Sequence, residues 1–154
     1  MFFLHLANLR QRIHHIVFVA AISLSAWPTF SAHAADSTDY SVVGRWKLTA
    51  ALDAADITSL DEREAKLLVG STLRISKEQL QLGKRICSTP DFEAERVEPR
   101  LYLRERYHAD SDHLGLPNPV TIVHLDCTSA FVKNPNHLVV FWDGWFFDAV
   151  KLKR

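Results

Sequence analysis

Two apolar runs close to the C-terminus, residues 138–142 and 145–150, are separated by Asp143-Gly144 alone. Asp-Gly is a favoured two-residue hairpin connection, because both positions of a type I′ turn need positive φ. Val139, Val140, Phe141, Trp142, Trp145, Phe146 and Phe147 are β-branched or aromatic residues of the kind that fill strands. The chain is therefore predicted to end in an antiparallel hairpin. Upstream segments must then supply strands to cover its edges.

Such segments are present. Residues 42–50 alternate, with Trp46, Leu48 and Ala50 apolar and Lys47 and Thr49 polar. Leu73 with Ile75, and Leu80 with Leu82, suggest two short strands around a Ser76-Lys77-Glu78 turn. Residues 92–97 read as a strand running into Pro99. Residues 120–125 are rich in β-branched residues, and residues 131–133 can pair beside them before an Asn134-Pro135-Asn136 turn. One helix is predicted over residues 60–69. Ser59 is its expected N-cap, with Glu62 completing a capping box and Gly70 the stop. Glu62 and Lys66 stand one turn apart, and Leu60, Leu67 and Leu68 are expected to share a face. Residues 100–107 admit two readings: Leu101 and Leu103 alternate as in a strand, while Pro99 can open a helix. Residues 108–119 read as a polar loop holding Gly115, Pro117 and Pro119. About eight short strands with one short α-helix make the predicted fold class all-β, mainly antiparallel. A small barrel is the economical way to protect the edges.

At the other end, Arg10 and Arg12 precede an apolar run over residues 16–27; Pro28 breaks it and Ala32-His33-Ala34 follows. That order is a secretory signal, cut after Ala34. The run is shorter than the roughly 20 apolar residues that span a bilayer, so cleavage rather than stable membrane insertion is predicted. Residues 35–154 then form a single domain, periplasmic or secreted. The full chain has 18 basic and 18 acidic residues; removal of Arg10 and Arg12 leaves 16 basic against 18 acidic. That balance argues against a nucleic-acid partner, which calls for a basic excess.

The only cysteines are Cys87 and Cys127. In an exported chain an even count implies a disulfide, and no CxxC spacing favours a redox or metal pair. The four histidines beyond residue 34 are His108, His113, His124 and His137. His108 and His113 flank Asp110 and Asp112 in one loop. A metal needs ligands fixed about 2.0–2.2 Å away, which that loop spacing does not enforce. No metal and no cofactor are predicted. His124, inside an apolar strand, reads as a hydrogen-bonded sheet residue. No G-x-S-x-G elbow or phosphate-cradling glycine loop occurs. Asp61, Glu62 and Glu64 fall in a helix's first turns, where they favour its dipole. Trp142 and Trp145 hold paired positions across the hairpin turn, either as an anchor for a partner or as packing at the barrel end. The candidate partner- or ligand-binding residues are Trp142, Asp143 and Trp145, together with Tyr107, His108 and His113.

Gly44-Arg45-Trp46 at the first strand of a small exported β protein resembles the lipocalin signature. That resemblance implies a Trp under the barrel floor capped by a late basic residue, with Lys151, Lys153 and Arg154 as candidates. The chain is also similar to a group of small exported bacterial proteins of unassigned function. The shared pattern is the G-x-W, a capped helix ending Leu68-Val69-Gly70, Cys87 followed by Pro90, Leu114-Gly115-Leu116, a strand ending in Cys127, and the terminal segment 141–147. This similarity supports the paired cysteines and transfers no activity.

Three functions are weighed. The first is a non-enzymatic periplasmic binding protein that acts by protein–protein contact, such as an inhibitor of a cell-wall hydrolase or an immunity protein against a secreted toxin. The second is a lipocalin-like carrier of a small apolar ligand, which requires a cup that inward Trp46, Phe141 and Phe147 would fill. The third is an enzyme, metal-dependent through the loop histidines.

Overall fold

The structure, a computed structural model, describes residues 37–153. The expected signal segment and its cut lie outside the described residues, as does Arg154. In chain order the elements are β1 (Ser37–Thr38), β2 (Gly44–Ala54), α1 (Glu62–Leu68), β3 (Thr72–Ile75), β4 (Gln79–Leu82), β5 (Arg85–Ser88), β6 (Glu93–Val97), α2 (Pro99–Tyr107), β7 (Val120–His124), β8 (Ser129–Asn134), β9 (His137–Trp142) and β10 (Trp145–Lys151). All ten strands join one antiparallel sheet in the order β1-β6-β7-β8-β9-β10-β2-β3-β4-β5. The sheet curls into a half-barrel. The all-β expectation therefore holds, with a second helix and two extra short strands, β1 and β5.

The terminal hairpin forms as its turn chemistry requires. Asp143 and Gly144 both have positive φ, +51° and +90°, and Trp142 pairs with Trp145. Alternation along β7 to β10 then builds two apolar layers. One face carries Val123, Ala130, Leu138, Val140, Trp142, Phe147 and Ala149, packed with Trp46, Leu48, Leu73, Leu80 and Phe92 inside the curl. The opposite face carries Ile122, Phe131, Val139 and Phe146, packed under Leu103 of α2 and Leu114 of the following loop. Phe141 also lies on this second face, so it does not fill the inside of the curl as expected. Odd and even positions point to opposite faces, and Phe141 is in step with Val139 rather than Val140.

Residues 100–107 belong to a helix. Pro99 takes its first turn, and the Glu98 carboxylate accepts from the Arg100 and Leu101 N–H groups at 3.2 and 2.6 Å. Leu103 is fully buried whereas Leu101 is exposed, so the apparent alternation came from a helix with one apolar stripe.

The N-cap of α1 is Asp61 rather than Ser59. Asp61 Oδ1 accepts from the Glu64 N–H, and Glu64 Oε2 accepts from the Asp61 N–H, both at 2.8 Å. Residues just before it are held elsewhere. The Ser59 N–H donates to the Asp143 carbonyl, and the Leu60 carbonyl accepts from Trp145 Nε1, each at 3.0 Å. The chain is free to wind only from residue 61. Leu67 consequently faces solvent, and Ala65 is the buried contact of the helix.

Inside the curl, Trp46 is fully buried and donates from Nε1 to the Val42 carbonyl at 2.7 Å. Of the three basic candidates for its cap, Lys151 takes the place, with Nζ 4.9 Å from the ring centroid. Cys87 in β5 and Cys127 in the β7–β8 turn are joined by a disulfide. β5 is the last strand of the sheet and β7 is third from the other end. A covalent bond between them requires the sheet to curl back on itself, so the bridge fastens the half-barrel across its open side.

Candidate functional site

On the second sheet face, past the C-terminal half of α2, the layers part into an open cleft of about 760 Å³. Its floor comes from β6, β7 and β8 and their connecting turn; Tyr102, Arg106 and Tyr107 of α2 form one wall. Phe141 closes the inner end, with its ring centroid 4.4 Å from that of Tyr107. Four carboxylates line the cleft, those of Asp91, Glu93, Glu95 and Asp126, against one guanidinium, that of Arg106. The turn at the floor is tight. Asp126 has φ +63°, and the Cys127 N–H reaches the Leu125 carbonyl two residues back at 2.8 Å.

A hydrogen-bonded chain of side chains crosses this floor. Ser129 opens β8 and pairs directly with His124, the last residue of β7. Their side chains meet, Ser129 Oγ lying 3.3 Å from His124 Nδ1. His124 Nε2 stands 2.9 Å from Glu95 Oε1 of β6. Tyr107 donates its hydroxyl to Ser129 Oγ at 3.0 Å. Tyr102 stands beside Glu95 at the far end of this chain. Burial pushes the Tyr102 phenol above its ordinary range, and the neighbouring Glu95 carboxylate adds to the effect. Burial likewise raises Tyr107, with Ser129 acting in the opposite direction. Both phenols therefore stay neutral and able to donate.

Of the six candidate binding residues read from the sequence, Tyr107 reaches this cleft and the other five lie elsewhere. His108 is the left-handed C-cap of α2, φ +49°, and borders a smaller hollow with Asp56, Arg100, Arg104 and Asp110. His113 is exposed on the following loop. Asp110 in that loop accepts from the Asp112 and Ser111 N–H groups at 3.2 and 2.6 Å, which holds its carboxyl below the usual range. Among the described residues no group of His, Cys, Asp and Glu is arranged to hold a metal. Trp142 is 4% exposed, with Arg85 stacked 5.0 Å over its ring. Asp143 is ion-paired with that same Arg85. Trp145 is tied to Leu60. The hairpin tip is thus packed beneath the β2–α1 loop and Arg85.

Glu95, His124 and Ser129 were not foreseen as a group, since they come from three strands with no local motif. The signal that could have found them is alternation. His124 and Ser129 occupy positions on a face where Ile122, Phe131, Val139 and Phe146 are buried. Polar residues in step with such a row need partners.

No protein-family model matches the chain, no curated protein matches it, and no solved structure matches it.

Proposed function

We propose that this protein acts outside the cytoplasm as a binding protein, by contact with another protein, and that the cleft beside α2 receives a Lys- or Arg-bearing segment of that partner. The observation that carries the reading is the pairing of charge and aromatic surface. Carboxylates from Asp91, Glu93, Glu95 and Asp126 surround a wall of Tyr102, Tyr107 and Phe141. Ammonium and guanidinium groups are held by carboxylates and by aromatic faces together. An inhibitor or immunity role against a secreted hydrolase or toxin is consistent with such a contact. The carrier alternative finds less support, because Trp46, Leu48, Phe92 and Phe147 fill the inside of the curl.

Titration calorimetry with a Lys/Arg-containing peptide and a Glu-containing peptide tests this reading. The basic peptide is expected to bind, more weakly as salt rises. Glu93→Gln with Asp126→Asn should weaken it further; Asn tolerates the positive φ at 126. Equal binding of both peptides, or of neither, would sink the proposal.

A further inference from the structure

The floor of the cleft can do more than bind. We propose that Ser129, His124 and Glu95 form a nucleophilic relay that cleaves carboxylic esters, with Ser129 as nucleophile and His124 as general base. This inference stands on the geometry of these three groups and is independent of the charge preference of the cleft.

The hydrogen-bond roles follow from the partners. A carboxylate accepts only, so His124 Nε2 carries the proton shared with Glu95 at 2.9 Å. That leaves the Nδ1 lone pair aimed at Ser129 Oγ, 3.3 Å away. Tyr107 already donates to one lone pair of Ser129 Oγ, so the serine's own proton is free to point at Nδ1. Nucleophile, base and orienting acid are therefore in series, at a separation usual for a site without substrate. The relay borders the cleft: the His124 side chain is 25% exposed, and Ser129, 7% exposed, lines the cleft floor.

In the first step Ser129 Oγ bonds to the ester carbonyl carbon while its proton passes to His124 Nδ1. Glu95 balances the imidazolium. The Tyr107 hydroxyl, beside Oγ, can turn its donor toward the developing oxyanion. Collapse breaks the bond to the leaving oxygen, which takes the proton from His124 and departs as an alcohol. Water then attacks the acyl-serine, passing a proton to His124, and the acid leaves as Ser129 recovers that proton. The balance is ester plus water to acid plus alcohol.

A neutral alkyl fluorophosphonate tests the nucleophile, read by intact mass and peptide mapping; being uncharged, it reports on the relay whether or not the cleft binds cations. One adduct on Ser129 is expected, lost in Ser129→Ala and formed about a hundredfold more slowly in His124→Gln. The charged groups of the cleft around His124 are Asp91 just before β6, Glu93 and Glu95 from β6, Arg106 from α2 and Asp126 from the turn. Glu95→Gln removes the one in contact, so labelling should slow, and Glu95→Asp should restore part of the rate. Glu95 is a positioning residue, and at 44% exposure its substitution keeps the test open should either other variant fail to fold. p-Nitrophenyl acetate should be hydrolysed with the same dependence on Ser129. An adduct elsewhere, no adduct, a labelling rate indifferent to the substitutions at 124 and 95, or labelling without ester hydrolysis would each overturn the proposal.

Discussion

Gly144 shows how much a single position can decide. Its φ is +90°, and a Cβ built there would meet Thr58 Cα at 2.5 Å and the Ile57 carbonyl oxygen at 2.8 Å. Both are backbone atoms of the loop strapped across the hairpin tip. Gly144→Ala is expected to cost about 1–3 kcal/mol in backbone strain alone, with displacement of the loop in addition, seen as a lower denaturant midpoint. The two half-buried tyrosines, Tyr102 and Tyr107, make a prediction of their own. Their phenols are harder to ionise folded than unfolded. Their contribution is complete below about pH 10, where unfolded tyrosine begins to ionise. Above it the folded chain holds more protons than the unfolded one, so stability falls as pH rises. Ultraviolet difference spectra should show these phenolates appearing together with loss of near-ultraviolet dichroism. Phenolates of Tyr102 and Tyr107 forming in a still-folded protein near pH 10 would contradict the burial argument.

Among the elements, local chemistry was legible where it was self-contained. Asp143-Gly144 sets the turn by its own dihedral needs, so the β9–β10 hairpin could be read directly. The Glu62–Lys66 pair, 2.6 Å apart, follows from one-turn spacing. The cap of α1 was not legible, because two patterns compete there and a tertiary contact chooses. Ser59 and Leu60 are engaged by the hairpin tip, which leaves Asp61 to cap. Asp61→Ala is therefore expected to cost about 1 kcal/mol and to speed hydrogen exchange in α1. Ser59→Ala should leave α1 exchange unchanged, since only its backbone N–H is used. α2 was half legible: Pro99 marks a helix start, but the stripe that selects helix over strand appears only once Leu103 meets the sheet.

For the whole molecule, the open ends of the sheet matter most. A ten-stranded sheet with β1 and β5 at its ends has edges to control. The Cys87–Cys127 bond spans 40 residues and fastens β5 to the turn at the cleft floor. Replacing both cysteines by serine should lower stability by about 4 kcal/mol on the chain-entropy estimate. It should also loosen the cleft, because Cys127 lines it. The sequence showed the pair but not its consequence, since the curl that brings β5 to β7 depends on ten strands at once. The same holds for the cleft: Glu95, His124 and Ser129 meet only through the β6–β7–β8 register. Chemical-shift mapping on the isotopically labelled protein, titrated with a Lys/Arg-containing peptide, tests the binding reading most directly. Perturbations should concentrate on Glu93, Glu95, Tyr107, His124 and Asp126 and fade as salt rises. Perturbations centred on the hairpin tip or the inside of the curl, with this cleft silent, would contradict it.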